Sequence, residues 1–216
     1  MKRRNFIKSS SLLSSAFILP GYTLKPKKNI YNDKIKLSLV GCGGRGTGAV
    51  INALNADDNI ELISMCDVFE DKIKRSLNNL KDEFKGTSKI QVKNENCFTG
   101  FDGYKKTIDN ADVVILATPP GFRPQHFEYA VNSSKHVFVE KPVATDISGI
   151  KRFIESAKIV KKKKLNVVVG LQRRYQPSYI NTFKQVKRGM VGKITSGIVK
   201  WNSRGVWVKE REKNQS

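Results

Sequence analysis

The chain has 216 residues, of which 39% are hydrophobic and 27% are charged. This balance is ordinary for a globular protein and excludes a chain that is disordered throughout. The formal net charge of +21 is unusual, but no zinc-ligand array, RNP-like aromatic motif or heptad repeat with a basic region accompanies it, so nucleic-acid binding is not expected.

The chain begins with a pattern that is typical of an export signal. Arg3 and Arg4 precede a Ser-rich, moderately apolar stretch over residues 12–24, whose uninterrupted apolar part, residues 16–19, is too short to span a bilayer. The arginine pair resembles a twin-arginine signal, which a bacterial export system reads as an address; an ordinary basic amphipathic tail is the alternative. We therefore expect residues 1–30 to be signal and linker, with the twin-arginine export machinery as a partner, a periplasmic location and no stable membrane span.

A glycine-rich loop follows the first expected strand. Residues 34–40 alternate between polar and apolar side chains and end in an apolar stretch, which predicts a strand. Residues 41–46 match the motif G-x-G-x-x-G. Residues 47–56 carry apolar side chains on one helical face, and residues 60–66 predict a second strand. The order strand, glycine loop, helix, strand indicates a dinucleotide-binding unit.

Each position of this unit has a physical reason. Gly41 allows the tight turn, Gly43 lets the backbone approach a pyrophosphate, and Gly46 lets the helix pack closely on the sheet. Asp67, at the end of the second strand, is placed to bond a ribose 2′-hydroxyl, which favours NAD and makes NADP the lesser candidate. Arg45 adds a cation beside the pyrophosphate or is an exposed loop arginine. The alternative for the motif is a glycine turn in another α/β protein, such as a methyltransferase.

The rest of the chain continues the alternation of helices and strands. The expected helices cover residues 71–84, 125–133 and 146–162, and the expected strands cover residues 90–92, 111–117, 136–139 and 167–170. In the last helix, Ile147, Ile150, Ile154 and Ala157 are expected to face inward. The fold class is therefore α/β, a Rossmann-type doubly wound parallel sheet, in which ligands bind at the carboxyl ends of the strands.

Four segments together resemble the glucose–fructose oxidoreductase / inositol dehydrogenase (Gfo/Idh/MocA) family: residues 41–46, 117–120, 139–142 and 170–175. The Glu-Lys-Pro tripeptide at a strand end is much more specific than the glycine loop. The resemblance implies a Rossmann domain over residues 31–172 that binds NAD(P), followed at residues 173–216 by the beginning of an α+β substrate domain.

The resemblance also implies residue roles. Lys141 would be the catalytic group near the nicotinamide, and Pro142 would fix its turn, with a cis bond as one option. The implied cofactor-binding residues are Gly41, Gly43, Gly44, Arg45, Gly46, Asp67, Thr118, Pro119, His126, Glu140, Gln172 and Arg174; no metal site is expected. For His126, lining the cofactor site, capping a helix and simple exposure all remain open, and Tyr175 either reaches the substrate or packs.

Some chemistry-bearing residues are given structural roles. Cys42 and Cys66 lie in or beside expected buried strands and are interpreted as packing residues. His136 begins a strand and is also interpreted as structural. The lysine run at residues 161–164 falls at a helix end, where it complements the helix dipole and is solvated.

The implied second domain is incomplete in this sequence. Residues 192–201 predict its first strand. The resemblance implies that this domain supplies a histidine to the active site, but no histidine follows His136. We therefore expect the sequence to be truncated and to lack a complete active site. The full-length protein would be an NAD(P)-dependent oxidoreductase acting on a sugar, polyol or related carbohydrate-like hydroxyl compound, and a homo-oligomer is an option. Two alternatives stay open: an NAD-dependent glycosidase of the same fold, and a non-catalytic dinucleotide-binding fragment.

Overall fold

The computed structural model describes residues 34–202. The expected export signal and residues 203–216 lie outside the described residues. The described part divides into two compact units, with the boundary between Gly170 and Leu171. The sequence places the corresponding boundary after residue 172.

The first unit contains a six-stranded parallel sheet with helices on both faces. Its strands are β1 (Ile35–Val40), β2 (Ile60–Asp67), β3 (Cys97–Thr99), β4 (Val113–Leu116), β5 (His136–Val139) and β6 (Val167–Val169). They are arranged in the order β3-β2-β1-β4-β5-β6. This is the doubly wound Rossmann order, so the predicted fold class is confirmed, and the direction of winding reverses between β1 and β4.

The helices of this unit form two layers around the strands. They are α1 (Gly44–Ala56), α2 (Glu70–Glu83), α3 (Gly103–Asp109), α4 (Arg123–Asn132) and α5 (Ile147–Lys163). Because successive strand residues point to opposite faces, Leu39 packs in one core cluster with Leu54, while Val40 packs in the other with Phe127. Both faces of β1 are thus buried, as its apolar end predicts.

Several elements differ from the sequence-based expectation. Helix α1 begins at Gly44, inside the glycine motif, three residues earlier than expected. Of residues 90–92 only Ile90 pairs with the sheet, through an isolated bridge to Leu62, because the chain leaves the sheet edge again at once. The third strand is instead β3, and neither β3 nor α3 was predicted.

The orientation predicted for α5 is wrong. Ile147, Ile150 and Ile154 are 73%, 45% and 52% exposed, and Ala157 is exposed as well. The helix turns a different apolar face inward because the ring of Phe153 stacks on Phe127 of α4, with 4.0 Å between ring centroids. The inward positions lie on the face of Phe153, where Ile159 and Val160 also pack against the core.

The lysine run at the end of α5 does more than complement the dipole. Nζ of Lys163 donates to the carbonyl oxygens of Val131 and Asn132 and to the hydroxyl of Ser134, at 3.1, 2.6 and 3.1 Å. These carbonyls belong to the last turn of α4, where the helix itself supplies no donors. One lysine of the run therefore caps the neighbouring helix, a contact that the sequence-based interpretation missed.

The residues interpreted as structural do pack. Cys42 and Cys66 are buried, and their thiols are free. Burial raises the pKa of the Cys66 thiol to about 12 and raises that of Cys42 as well, so neither is a thiolate at neutral pH. His136 accepts a hydrogen bond at Nδ1 from the backbone N–H of Asn166, at 2.9 Å, which joins β5 to the beginning of β6.

The second unit contains two helices in the described residues, α6 (Gln172–Tyr175) and α7 (Pro177–Lys187). The strand predicted over residues 192–201 does not form in residues 171–202, since no other strand of this unit pairs with it. In residues 34–202, no helix is both long and apolar enough to cross a membrane.

Candidate cofactor and active site

A cavity of the first unit lies where the sheet reverses its winding. It has a volume of about 530 Å³, and its wall is formed by the carboxyl ends of β1, β2 and β4 and the loops that follow them. Among the predicted site residues, Gly41, Gly43, Asp67, Thr118, Pro119 and His126 line it. This is the position where doubly wound sheets bind their ligands.

The glycine loop leaves an open cradle at the beginning of α1. Gly41 has a φ of +98°, and a Cβ there would lie 2.7 Å from the backbone nitrogen of Thr118. A Cβ on Gly46 would overlap the carbonyl oxygen of Gly41, so this glycine permits helix and loop to pack. By contrast, a Cβ on Gly43 or Gly44 would meet no atom of the described residues within 4 Å. Space beside uncapped helix N–H groups fits a pyrophosphate.

Asp67 ends β2 and faces the loop from the other side. Its Oδ2 accepts a hydrogen bond from the backbone N–H of Cys42 at 2.8 Å, and Oδ1 accepts one from Phe69 at 3.1 Å. Each carboxylate oxygen keeps a further lone pair, and the side chain is only half-buried. The geometry therefore allows Asp67 to hold the loop and to accept from a ribose hydroxyl.

His126 belongs to the cavity wall. Its ring is 6% exposed, lies 4.2 Å from the ring of Tyr104 between centroids, and stacks on Phe122. Nδ1 is 3.1 Å from Oγ1 of Thr118. Burial lowers the pKa of His126 to about 4, so the imidazole is neutral at physiological pH. Of the alternatives left open by the sequence, the structure places the ring against the cavity and not on the surface or at a helix cap.

Glu140 connects the glycine loop to the lysine turn. Its carboxylate is buried, with Oε1 2.5 Å from Nη2 of Arg45 and Oε2 accepting from the backbone N–H of Lys141 at 3.3 Å. Gly170 makes room for it, because a Cβ there would lie 2.7 Å from Oε1. The resemblance implies that Glu140 binds the cofactor; in this structure its partners are Arg45, half of whose side chain is exposed, and the turn itself.

Lys141 follows β5 at the same edge of the sheet. Its bond to Pro142 is cis, the option that the resemblance implies. The side chain of Lys141 is exposed at the carboxyl end of the strand next to β4. A flexible ammonium group on a fixed turn can reach a substrate hydroxyl without being part of the cavity wall.

Arg123 is a site residue that sequence reasoning missed. It begins α4, is 6% exposed, and donates from Nη1 to the carbonyl oxygen of Pro142 at 2.5 Å. Its Nε–H has no hydrogen-bond partner in the described residues. The available signal is an arginine between the strand expected over residues 111–117 and the helix expected over residues 125–133.

Two predicted cofactor residues lie in the other unit. Gln172 and Arg174 are exposed residues of α6, where the backbone N–H of Arg174 donates to the carbonyl of Leu171 at 2.9 Å. Tyr175 ends the same helix and is 65% exposed. The neighbouring Arg173 packs over the ring of Tyr179, 4.9 Å from its centroid, and donates to Gln176.

Comparison with known proteins agrees with this geometry. Residues 35–171 match the model of the GFO_IDH_MocA oxidoreductase family with the NAD-binding Rossmann fold. The chain belongs to this family. The predictions of the family, of the Rossmann fold and of NAD as the cofactor are therefore confirmed for the Gfo/Idh/MocA chain.

Individual relatives span a range of activities. A glycosyl hydrolase family 109 protein of Solibacter usitatus is 23% identical over 93% of this chain and 45% of its own length. Inositol 2-dehydrogenase of Salmonella typhimurium is 26% identical over 73% of this chain and 43% of its own length. The structure of scyllo-inositol dehydrogenase from Lactobacillus casei with bound NAD(H) and scyllo-inositol has a TM-score of 0.58 at 25% identity, covering 76% of this chain and 44% of that one. The chain spans less than half the length of these relatives.

Proposed function

We propose that the protein is an NAD-dependent oxidoreductase that moves a hydride between the cofactor and a hydroxyl-bearing carbon of a sugar or polyol. The observation that carries the proposal is the open cradle at Gly43, which lines the same cavity as the Asp67 carboxylate at the carboxyl ends of β1 and β2. Inositol dehydrogenases among the relatives support a cyclic polyol as the substrate class.

Some of these residues would bind the cofactor, and another would act on the substrate hydroxyl and its proton. The N–H groups at the beginning of α1 would hold the pyrophosphate, and the Asp67 carboxylate would accept from the adenosine ribose. Bound NAD supplies the hydride acceptor. Lys141 would orient and polarise the substrate hydroxyl through its ammonium group, and would assist the loss of the hydroxyl proton to water as the carbon gives up the hydride.

The experiment measures binding and turnover separately. NADH and NADPH are titrated into the chain by fluorescence, and NAD reduction is then followed with a panel of inositols and sugars. For Lys141→Met we expect NADH affinity within about threefold of wild type and turnover lower by about 10²–10⁴-fold. Lys151→Met, which removes an exposed lysine of α5, is the matched control and should leave both unchanged. Absence of NADH binding by the wild type contradicts the proposal.

A redox-assisted glycosidase is the second candidate, because glycosyl hydrolase family 109 proteins are among the relatives. Both activities use the same dinucleotide site, so the products distinguish them. Accumulation of NADH with a free polyol favours the dehydrogenase, whereas release of an aglycone without net NADH favours the glycosidase. Binding of NADH with no turnover on any substrate favours a non-catalytic binding protein.

We also propose that the protein is exported to the periplasm. The paired Arg3 and Arg4 ahead of an apolar stretch support this. Residues 1–33 fused to a reporter should direct its export, and changing both arginines to lysine should abolish it. Export of the lysine variant would instead favour another secretion route, and a reporter that stays inside the cell contradicts the proposal.

A further inference from the structure

Arg123 is a buried cation that makes one hydrogen bond through its guanidinium group and has one N–H group without a partner in the described residues. Its side chain is 6% exposed, although arginine is rarely buried without a partner. Nη1 donates to the carbonyl oxygen of Pro142, 2.5 Å away, while Nε has no partner in the described residues. No carboxylate lies within ion-pair distance of it there; the nearby charge that acts on it is that of Glu140. Burying such a group is costly, so its contact needs a reason beyond packing.

The contact completes the support of the turn that carries Lys141. Proline has no N–H, and the turn lies outside the strand ladder. On one side of the turn the N–H of Lys141 is held by Oε2 of Glu140, and on the other side the carbonyl of Pro142 is held by Arg123. The donor of the Arg123 contact is charged, which makes a hydrogen bond shorter and stronger than a neutral pair does, whereas the Glu140 contact, at 3.3 Å, is long. The backbone of the turn is thereby fixed from two directions.

Arg123 also connects the turn to the cavity wall. It lies between Phe122 and His126 in α4 and its preceding loop, and all three residues line the cavity. A change in this wall therefore acts directly on the carbonyl of Pro142. The planar guanidinium suits this task because its donors point in fixed directions, whereas a lysine offers one mobile donor group.

We propose that Arg123 is a positioning residue that holds the Lys141–Pro142 turn in register with the cofactor cavity. It acts through Lys141 and does not itself exchange a proton. The inference rests on the proposed function, since it assumes that the cofactor binds in this cavity with Lys141 at its edge. Displacing such a group by about 1 Å costs about 100-fold in rate even when the residue itself is intact.

The test measures how reactive Lys141 is towards an amine-modifying reagent, with and without NADH, by peptide mass spectrometry. The exposed Lys151 of α5 is the internal reference. In the wild type, NADH should slow the labelling of Lys141 severalfold and leave Lys151 unaffected. In Arg123→Met, we expect NADH to bind with an affinity within about threefold of wild type but to protect Lys141 no longer. In Arg123→Lys, partial protection should remain.

The control is Arg152→Met, which removes an arginine of the same helix layer that pairs on the surface with Glu128. It should keep the wild-type protection. Where turnover is measurable, Arg123→Met should lower kcat about 100-fold with KM almost unchanged, a split that a loss of stability alone does not produce.

The possible outcomes distinguish a failure of this inference from a failure of the proposed function. Wild-type protection of Lys141 in Arg123→Met overturns the inference while leaving the proposed function intact. If Arg123→Met does not fold, Arg123→Lys decides: reduced protection supports the inference and full protection overturns it. If the wild type itself fails to bind NADH, the proposed function falls, and this inference falls with it.

Discussion

A buried titratable side chain in the cavity wall makes the stability of the fold depend on pH, because burial disfavours its charged form. His126 has a folded-state pKa of about 4 against an ordinary value of 6.5, so between these values the unfolded chain binds more protons than the folded one. Stability is therefore fully present above pH 6.5 and is lost as the pH falls towards 4. Between about pH 7.5 and pH 5 this residue should lower the free energy of unfolding by about 2 kcal/mol.

Urea unfolding at the two pH values measures this loss. His126→Phe should remove about 2 kcal/mol of the difference. His136→Phe is the matched control, because it leaves His126 as the only histidine of the chain, and the difference attributed to His126 should persist. An unchanged difference in His126→Phe would show that the ring is solvated in the folded protein.

The glycines of the loop are required for different reasons. Gly43→Ala adds a methyl group where the described protein has no atom within 4 Å, so the melting temperature should stay unchanged. The methyl group would occupy the space that the pyrophosphate approaches, and NADH affinity should fall by about tenfold or more. Calorimetry and a fluorescence titration of the same sample measure both quantities.

The control for this prediction lies one turn further along α1. Gly48→Ala also meets no atom of the described residues within 4 Å, and it should stabilise the helix by about 0.5–1 kcal/mol without weakening NADH binding. Equal loss of affinity in both variants would contradict the placement of the pyrophosphate at Gly43.

Sequence spacing predicted the site residues whose neighbours are local. Gly41, Gly43 and Asp67 follow from one strand–helix–strand unit, in which the chain itself sets the distances. The pairing of Arg45 with Glu140 and that of Arg123 with Pro142 were not predicted. Each pairing joins residues from different loops, and only the assembled sheet brings these loops to the same edge.

At the scale of elements, the end of α4 depends on a side chain of α5. Lys163→Met removes a donor to the carbonyls of Val131 and Asn132, the first of which also accepts from the backbone N–H of Ser134, and should lower the free energy of unfolding by about 1 kcal/mol. Lys162→Met, which removes an exposed lysine beside it, should have no effect. Chemical denaturation of the two variants makes the comparison, and equal stabilities would show that the capping contact contributes nothing.

Elements with a strong apolar pattern were also the predictable ones. Strands β1, β2, β4 and β5 and helices α2 and α5 appear within a few residues of their expected positions. Strand β3 has three residues and α3 has seven, too few for a periodic pattern to stand out. The orientation of α5 was missed because the helix carries two apolar faces, and only its stacking on α4 decides between them.

At the scale of the whole molecule, the charge of the chain should govern how fast the cofactor arrives. A formal net charge of +21 attracts an anionic dinucleotide, and Lys72 stands at the cavity. We expect the association rate constant of NADH, measured by stopped flow, to fall as ionic strength rises, because salt screens this attraction. Adenosine, which is neutral, is the control ligand; an NADH rate independent of salt would contradict the prediction.

The contact between Gly170 and Glu140 also restricts how this protein can change over evolutionary time. An alanine at position 170 would press on the buried carboxylate and, through it, on both the glycine loop and the lysine turn. An aspartate at position 140, one methylene shorter, would first have to withdraw from that space. Either single substitution therefore disturbs the contacts of this carboxylate with Arg45 and with the lysine turn, so positions 140 and 170 are expected to change together and not one at a time.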